Sequence, residues 1–345
     1  MVDHPVHKLT PSFNELLQLA LEKRDINFNE PRALANQVLE LSNFYLQNPG
    51  AHTPWDKPFA TNAYLSYFLP LNFVRLRAAF LEVKRFLPPE TVSEIWDFGA
   101  GIGTTQWVLE NDTHFSVRPF YALEDTKEAI FLYRQLMSYT RPQWTPQFVS
   151  RAEPLPNALG VFSYSFLEMR PRMVDLERFA HLLIVEPSTR ERGRDLMSWR
   201  ARLMDQGFYP LAPCTHSQSC PLLSESHRDW CHQRVHFSGP LWWHRIENLL
   251  PMRNRTLTYS YLLMSRTVQD TQWRGAARAI GDTRKENGKT RQMICRGPER
   301  EFLGWLHKAG PVPQIPHGAL IRGVNQAEPR GGELRPRPDS LEWTI

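Results

Sequence analysis

Apolar residues recur at helical spacing through the first ninety positions. Leu16, Leu17 and Ala20 follow Ser12, and Glu15 three residues after Ser12 gives a capping-box pattern. Pro31 suits a first helical position, and Leu34, Val38, Leu41 and Tyr45 follow on one stripe. After the turn-rich interval 48–58, Leu76, Ala79, Phe80, Val83 and Leu87 share a face, and Pro88-Pro89 closes the region. Residues 1–90 therefore read as a helical region. From Val92 the pattern changes to short apolar runs alternating with helical ones. Strands are predicted over 92–98, 119–123, 147–150, 160–166, 182–186 and 208–212, with helices over 104–110, 126–139 and 192–206. The alternating run 257–265 suits an antiparallel last strand. This order predicts a doubly wound α/β domain over 91–270, interrupted by a Cys-rich insertion at 213–235. Short strands over 275–282, 291–296 and 302–307, with a turn at Asn287-Gly288, predict a small β extension over 271–321. The Gly-, Pro- and Arg-rich stretch 322–345 predicts a disordered tail.

Composition changes this picture in two ways. The chain has 345 residues and is 41% hydrophobic, enough for two or three folded units. Residues 1–11 are polar without a signal pattern, and no apolar run approaches a membrane span. The expectation is a soluble protein with no membrane partner. It would be cytoplasmic if bacterial and in the mitochondrial matrix if eukaryotic, although no transit peptide is evident. The net charge of +5 is uneven: residues 236–345 hold 17 Lys and Arg against 10 Asp and Glu. A basic, Arg-dominated third is the footprint of a nucleic-acid surface. Arg253, Arg255, Arg274, Arg278, Arg284 and Lys285 are the candidate phosphate contacts. Trp242 and Trp243 could stack on bases or pack in a core.

Chemistry is first visible in the turn Asp97-Phe98-Gly99-Ala100-Gly101-Ile102-Gly103. Glycines at alternate positions between a strand and a helix let the backbone approach a ligand at the helix N-terminus. Glu124, 27 residues after Asp97, ends the next strand and can bind ribose hydroxyls. Cofactor candidates are thus Asp97, Gly99, Gly101, Gly103 and Glu124.

All four cysteines fall in the second half. Cys214, Cys220 and Cys231 lie within 18 residues, and Cys295 follows 64 residues later. Four thiols with none spare match one four-cysteine metal site. Five and ten residues between the first three exceed the two to four usual in zinc knuckles, while iron–sulfur clusters tolerate irregular spacing. His216, His227 and His232 are near enough to complete a Cys₃His zinc site. Spacing alone leaves iron–sulfur and zinc open.

The elements Pro213-Cys214-x-His216-x-x-x-Cys220-Pro221 and Asp229-Trp230-Cys231-His232 resemble a known family. So do the Asp97-to-Thr104 turn, the strand ending Val185-Glu186-Pro187, and Tyr259-Ser260-Tyr261 leading to Arg266. The family is that of methyltransferase-like assembly factors of the mitochondrial small ribosomal subunit (Rsm-type proteins) and their bacterial relatives. Ile102, Ser188 and Gln233 stand where its pattern commonly has Pro, Gly and an aromatic. The resemblance implies a class I methyltransferase (Rossmann-like) fold with an N-terminal helical cap. It implies a 4Fe-4S cluster on Cys214, Cys220, Cys231 and Cys295, a possible S-adenosylmethionine site, and association with small-subunit ribosomal RNA. The leading expectation is a ribosome-associated RNA-binding protein acting in small-subunit assembly or translation, monomeric off the ribosome. One alternative is an active S-adenosylmethionine-dependent rRNA methyltransferase. It would flip a base toward 163–166 with Glu168 as proton acceptor, although no amino-methylating Pro-Pro signature stands there. Another is an iron- or redox-sensing RNA-binding protein.

Overall fold

The computed structural model describes residues 6–28, 30–48, 50–110, 112–115, 118–140, 142, 145–254, 256–267, 273, 275–337 and 340–345. Strand β1 (Val6–His7) leads into helices α1 (Pro11–Glu22), α2 (Pro31–Gln47), α3 (Pro58–Ala63) and α4 (Leu69–Phe86), with a π-helical turn over Tyr64–Phe68. Each of these helices has Pro at its first or second position, where no amide partner is lost. The cap of α1 is Thr10, whose hydroxyl accepts from Phe13 N at 3.4 Å, not the predicted Ser12.

The central domain runs β2 (Ile95–Phe98), α5 (Thr104–Leu109), β3 (Phe120–Leu123), α6 (Lys127–Ser138), β4 (Gln147–Phe148) and β5 (Leu159–Ser163). It continues through the short helices α7 (Phe166–Met169) and α8 (Met173–Leu176), then β6 (His181–Glu186), α9 (Arg190–Asp205) and β7 (Tyr209–Ala212). Next come α10 (Pro221–Ser224), β8 (Gln233–Phe237), α11 (Leu241–Glu247) and β9 (Thr256–Ser265). The sheet order is β4-β3-β2-β5-β6-β9, with β7 also on β9 and with β8 carrying β1. β2 to β6 are mutually parallel, and β9 runs antiparallel to β6, with Val185 opposite Tyr261. This is the class I methyltransferase arrangement, Rossmann-like and doubly wound. Strand order reverses between β2 and β5, the switch point where such sheets bind ligands. The predicted insertion is shorter than 213–235, because Gln233–Phe237 has already rejoined the sheet against β9.

α4 packs on one side of the sheet, its Leu76, Ala79, Phe80 and Val83 fully buried with Ile95, Leu183 and Tyr261. α9 packs on the other, where Leu196, Met197 and Leu203 meet Phe162, Ile184 and Leu262. Cys231 and Cys295 belong to this second core, so the α9 face is where the insertion docks. No helix of the described residues is long and apolar enough to cross a membrane.

Residues 277–344 form a second sheet from β10 (Ala277–Ala279), β11 (Arg284–Glu286), β12 (Lys289–Cys295), β13 (Glu301–Leu306), β14 (Leu320–Arg322), β15 (Glu328–Arg330), β16 (Glu333–Arg335) and β17 (Glu342–Thr344). The expected disorder after Arg322 is not what forms. Gly331 and Gly332 both have positive φ, as the central pair of a tight hairpin requires. They join β15 to β16, which sets Leu334 beside Leu303, while β17 pairs with β14 and buries Leu341. Glycines that read as disorder are here turn residues between short apolar contacts.

Candidate functional site

The glycine turn follows β2. Gly99, Gly101 and Gly103 have φ of +65°, +52° and +88°, the left-handed region that other residues adopt with strain. Space imposes the same choice at two of them. A Cβ on Gly99 would lie 2.6 Å from Ser165 Cβ, and one on Gly103 would lie 2.2 Å from the Tyr133 ring. Gly99 N and Ala100 N donate to Leu123 O, and Gly101 N donates to Glu124 Oε2 at 2.8 Å. Thr126 N donates to the other oxygen of Glu124 at 2.9 Å. Glu124 therefore clamps the turn to the start of α6. Each of its oxygens keeps a second lone pair for a ligand hydroxyl.

Asp97 is buried at the end of β2. Thr105 Oγ1 donates to its Oδ1 at 2.8 Å, while Oδ2 is buried without a hydrogen-bond partner. Burial lifts its pKa to about 7. Neighbouring strand ends add to this edge. Tyr164 has φ +64°, Ser165 Oγ donates to Phe98 O, and buried Glu186 accepts from Leu167 N at 2.9 Å. Burial raises Glu186 to about 7 as well, and raises Glu168, which lies 3.9 Å from Arg192. The N-terminal region closes over the edge: a Cβ on Gly101 would lie 3.8 Å from the Trp55 ring, which packs edge-on against Tyr64 at 4.8 Å. The sequence reading missed Trp55 and Tyr64, while Tyr164 lies in the 163–166 strand end toward which a flipped base was expected. A strand-end Glu186 was visible in Val185-Glu186-Pro187, but not the burial that raises its pKa.

The cysteines are brought together by α9. Arg194 Nη1 donates to Leu222 O, Ser226 O and Asp229 O at 2.8–3.0 Å. Buried Arg200 donates to Gln218 O and His216 O at 3.0 and 2.6 Å. The same guanidinium bonds the Cys214 sulfur and is within electrostatic reach of Cys220 and Cys295. The Cys231 thiol is pushed well above its usual range by burial and then by Cys214, Cys220 and Cys295; Cys295 is raised by burial, Cys214 and Cys220. The four predicted ligands thus share one buried neighbourhood. His216 joins them: Gln218 N donates to its Nδ1, so Nε2 carries the proton toward Cys295 Sγ at 3.3 Å. His232 turns away, packing between Trp230 and His317. Among the described residues, no group of three or more His, Cys, Asp or Glu is arranged to hold a metal ion.

The basic candidates separate. Arg278 is not a phosphate contact. It is 1% exposed, pairs with Glu82 at 2.6 Å, and donates to Pro213 O and Gly318 O. Arg253 caps α11, donating to the carbonyls of Glu247, Leu250 and Met252. Arg284 and Lys285 are exposed on β11. Arg255 and Arg274 lie outside the described residues. Trp243 is buried and stacked on Tyr67, and Trp242 Nε1 donates to Asn14, so both belong to the core.

No protein of curated function matches the chain. Among solved structures, similarity extends to the METTL16 methyltransferase domain, at 11% identity and TM-score 0.37 over 75% of this chain and 93% of that one. It extends also to TrmK of M. capricolum in complex with S-adenosyl-homocysteine (7%, 0.33, 56% and 69%). A third is magnesium protoporphyrin IX methyltransferase of Synechocystis (12%, 0.32, 56% and 80%). A family model, that of the mitochondrial small ribosomal subunit Rsm22, matches residues 58–303. That span runs from α3 into β13 and includes the glycine turn and all four cysteines, and on it the chain belongs to the Rsm22 family.

Proposed function

We propose that this protein is a ribosome-associated RNA-binding factor of methyltransferase fold, acting in assembly of the small ribosomal subunit. The observation that carries the reading is the family match, which spans both candidate centres. The exposed cations Arg284 and Lys285 in a basic C-terminal third support an RNA partner. The protein would act as a monomer off the ribosome, in the cytoplasm of a bacterium or the mitochondrial matrix.

The cysteine quartet would hold an iron–sulfur cluster through Cys214, Cys220, Cys231 and Cys295. Two observations support this: four thiols in one buried neighbourhood, and two buried guanidiniums, Arg200 near three of them and Arg278 near Cys231. Binding replaces four protons by a centre whose thiolates leave excess negative charge, and those guanidiniums offset it. The cluster's contribution is structural: it joins the insertion to β12. Anaerobic purification followed by visible absorption and iron, sulfide and zinc analysis tests this. Iron and sulfide in equal amounts are expected, and zinc without sulfide sinks the cluster. Co-sedimentation with small subunits tests the ribosomal reading, and its absence at low salt rejects it.

A second reading, an active S-adenosylmethionine-dependent rRNA methyltransferase, is favoured by one observation: Asp97 Oδ2, a buried acceptor without a partner beside the glycine turn. Asp97, Gly99, Gly101, Gly103 and Glu124 would hold the cofactor, which supplies an electrophilic methyl group. The chain's own part is orientation by the turn, exclusion of water by Trp55 and Tyr64, and proton acceptance by Glu168 or Glu186. Calorimetric titration with S-adenosyl-homocysteine, wild type against Asp97→Asn, tests cofactor binding, and transfer of a labelled methyl group from S-adenosylmethionine to small-subunit RNA tests turnover; the absence of transfer rejects this reading.

A further inference from the structure

Two adjoining cavities, of ≈ 270 and ≈ 720 Å³, share Asp282 and His317 and form a groove between the cysteine insertion and the C-terminal sheet. One wall is aromatic. Trp230, His232 and His317 make a ladder, with ring centroids 5.6 and 5.1 Å apart and planes tilted by 33° and 40°. The ladder is fixed from behind. Trp230 Nε1 donates to Ser188 O at 2.7 Å, and a Cβ on Gly193 would lie 2.9 Å from the indole. Ser188 follows Glu186 by two residues, so this end of the groove adjoins the edge of the sheet where strand ends gather.

The other wall is cationic. The groove's two carboxylates are already paired, Asp229 with Arg300 at 2.6 Å and Asp282 with Arg234 at 2.8 Å. Among the described residues Arg284 and Lys285 make no ion pair or side-chain hydrogen bond, and each borders one cavity. Beyond them Arg291 lies over the Phe302 ring at 4.3 Å. The groove therefore offers flat π faces on one side and unpaired cations on the other.

We infer that this groove binds single-stranded RNA, with a base against Trp230 at the end of the ladder and phosphates against Arg284 and Lys285. Stacked bases inside a duplex do not present their faces to such a wall, whereas an unpaired strand does. An acidic peptide would meet the cations and leave the ladder unused. The inference deepens the RNA-binding reading and rests on it.

The test is fluorescence anisotropy of the full-length chain with a labelled single-stranded oligoribonucleotide, at several salt concentrations. A hairpin duplex, a nucleoside monophosphate and a polyglutamate peptide serve as competitors. Arg284→Gln/Lys285→Gln is expected to weaken single-strand binding at least tenfold without shifting the melting temperature. It should also flatten the slope of log affinity against log salt by about 1.4, from about 0.7 for each of two lost phosphate contacts. Lys23→Glu/Arg32→Glu on the N-terminal helices should change neither. Ultraviolet cross-links are expected in the peptide containing Trp230. If the wild type binds the strand and the double variant matches it in affinity and slope, the groove is wrong and the RNA-binding reading stands. If the wild type binds no RNA, that reading itself falls. Equal or tighter binding of duplex, mononucleotide or peptide overturns the single-strand assignment.

Discussion

Glu82 on α4 and Arg278 on β10 meet at 2.6 Å in the core, 196 residues apart in the chain. Tyr261 of β9 donates to the same carboxylate oxygen at 3.2 Å, and Arg85 pairs with the other. Arg278 also holds Pro213 O, the residue before Cys214. One buried ion pair thus ties the helical cap, the last sheet strand, the cysteine insertion and the C-terminal sheet together. Arg278→Leu should destabilise the fold by about 3–5 kcal/mol, since Glu82 is left buried with one cation fewer. Glu82→Leu/Arg278→Leu should recover part of that loss, because removing both partners leaves less unpaired charge. Urea unfolding of the wild type and the two variants decides it; a double variant less stable than Arg278→Leu would contradict the account.

Asp97 makes stability depend on pH in a direction opposite to most carboxylates. Its folded pKa of about 7 lies above the unfolded value near 3.9. The folded state therefore holds its proton more tightly. Its contribution is fully present below about pH 4, declines as pH rises, and is lost above about pH 7. Asp97→Asn cannot titrate. The stability of the variant relative to wild type should rise by about 3 kcal/mol between pH 5 and pH 8. Parallel denaturation curves at the two pH values, with a constant difference, would remove the assigned proton.

The glycine turn predicts an ordering of alanine variants. At Gly103 the Cβ would enter the Tyr133 ring, and φ of +88° adds backbone strain. Strain of about 1–2 kcal/mol plus overpacking of about 1–3 kcal/mol sets the expected loss for Gly103→Ala. At Gly101 the nearest atom is Trp55 at 3.8 Å, so Gly101→Ala should lose only the strain. Thermal melts of both variants check this. Equal losses would mean that Tyr133 moves aside freely.

What the sequence made legible follows from what is local. Helical stripes, strand runs and the glycine turn depend on spacing, and β2 to β6 fall close to the predicted positions. The three cysteines of the insertion were conspicuous because they lie close together in the chain, and the fold brings the distant Cys295 into their electrostatic neighbourhood. Long-range partners were not. Nothing near Arg278 in the chain announces Glu82, so an arginine in a basic region read as a phosphate contact. Arg194 and Arg200 carried no signal within α9 itself, and only the folded insertion gives them carbonyls to hold. Glycine-rich composition after Arg322 pointed to disorder, because the hairpin across Gly331-Gly332 is held by Leu334 pairing beside Leu303 of β13, 31 residues earlier.

Arg194 yields the last prediction. Its Nη1 holds carbonyls of Leu222, Ser226 and Asp229, so one side chain fixes the middle of the insertion to α9. Lysine has a single ammonium and no planar fork to span them. In metal-free protein, Arg194→Lys should leave the sheet folded but lower the free energy for local opening of 214–231. Loss of about two net hydrogen bonds of 0.5–1.5 kcal/mol each corresponds to roughly a tenfold rise in the open population. Limited proteolysis should then cut within the insertion about ten times faster while the global urea midpoint moves little. A midpoint that falls in proportion to the cleavage rate would mean that the insertion and the sheet open as one unit.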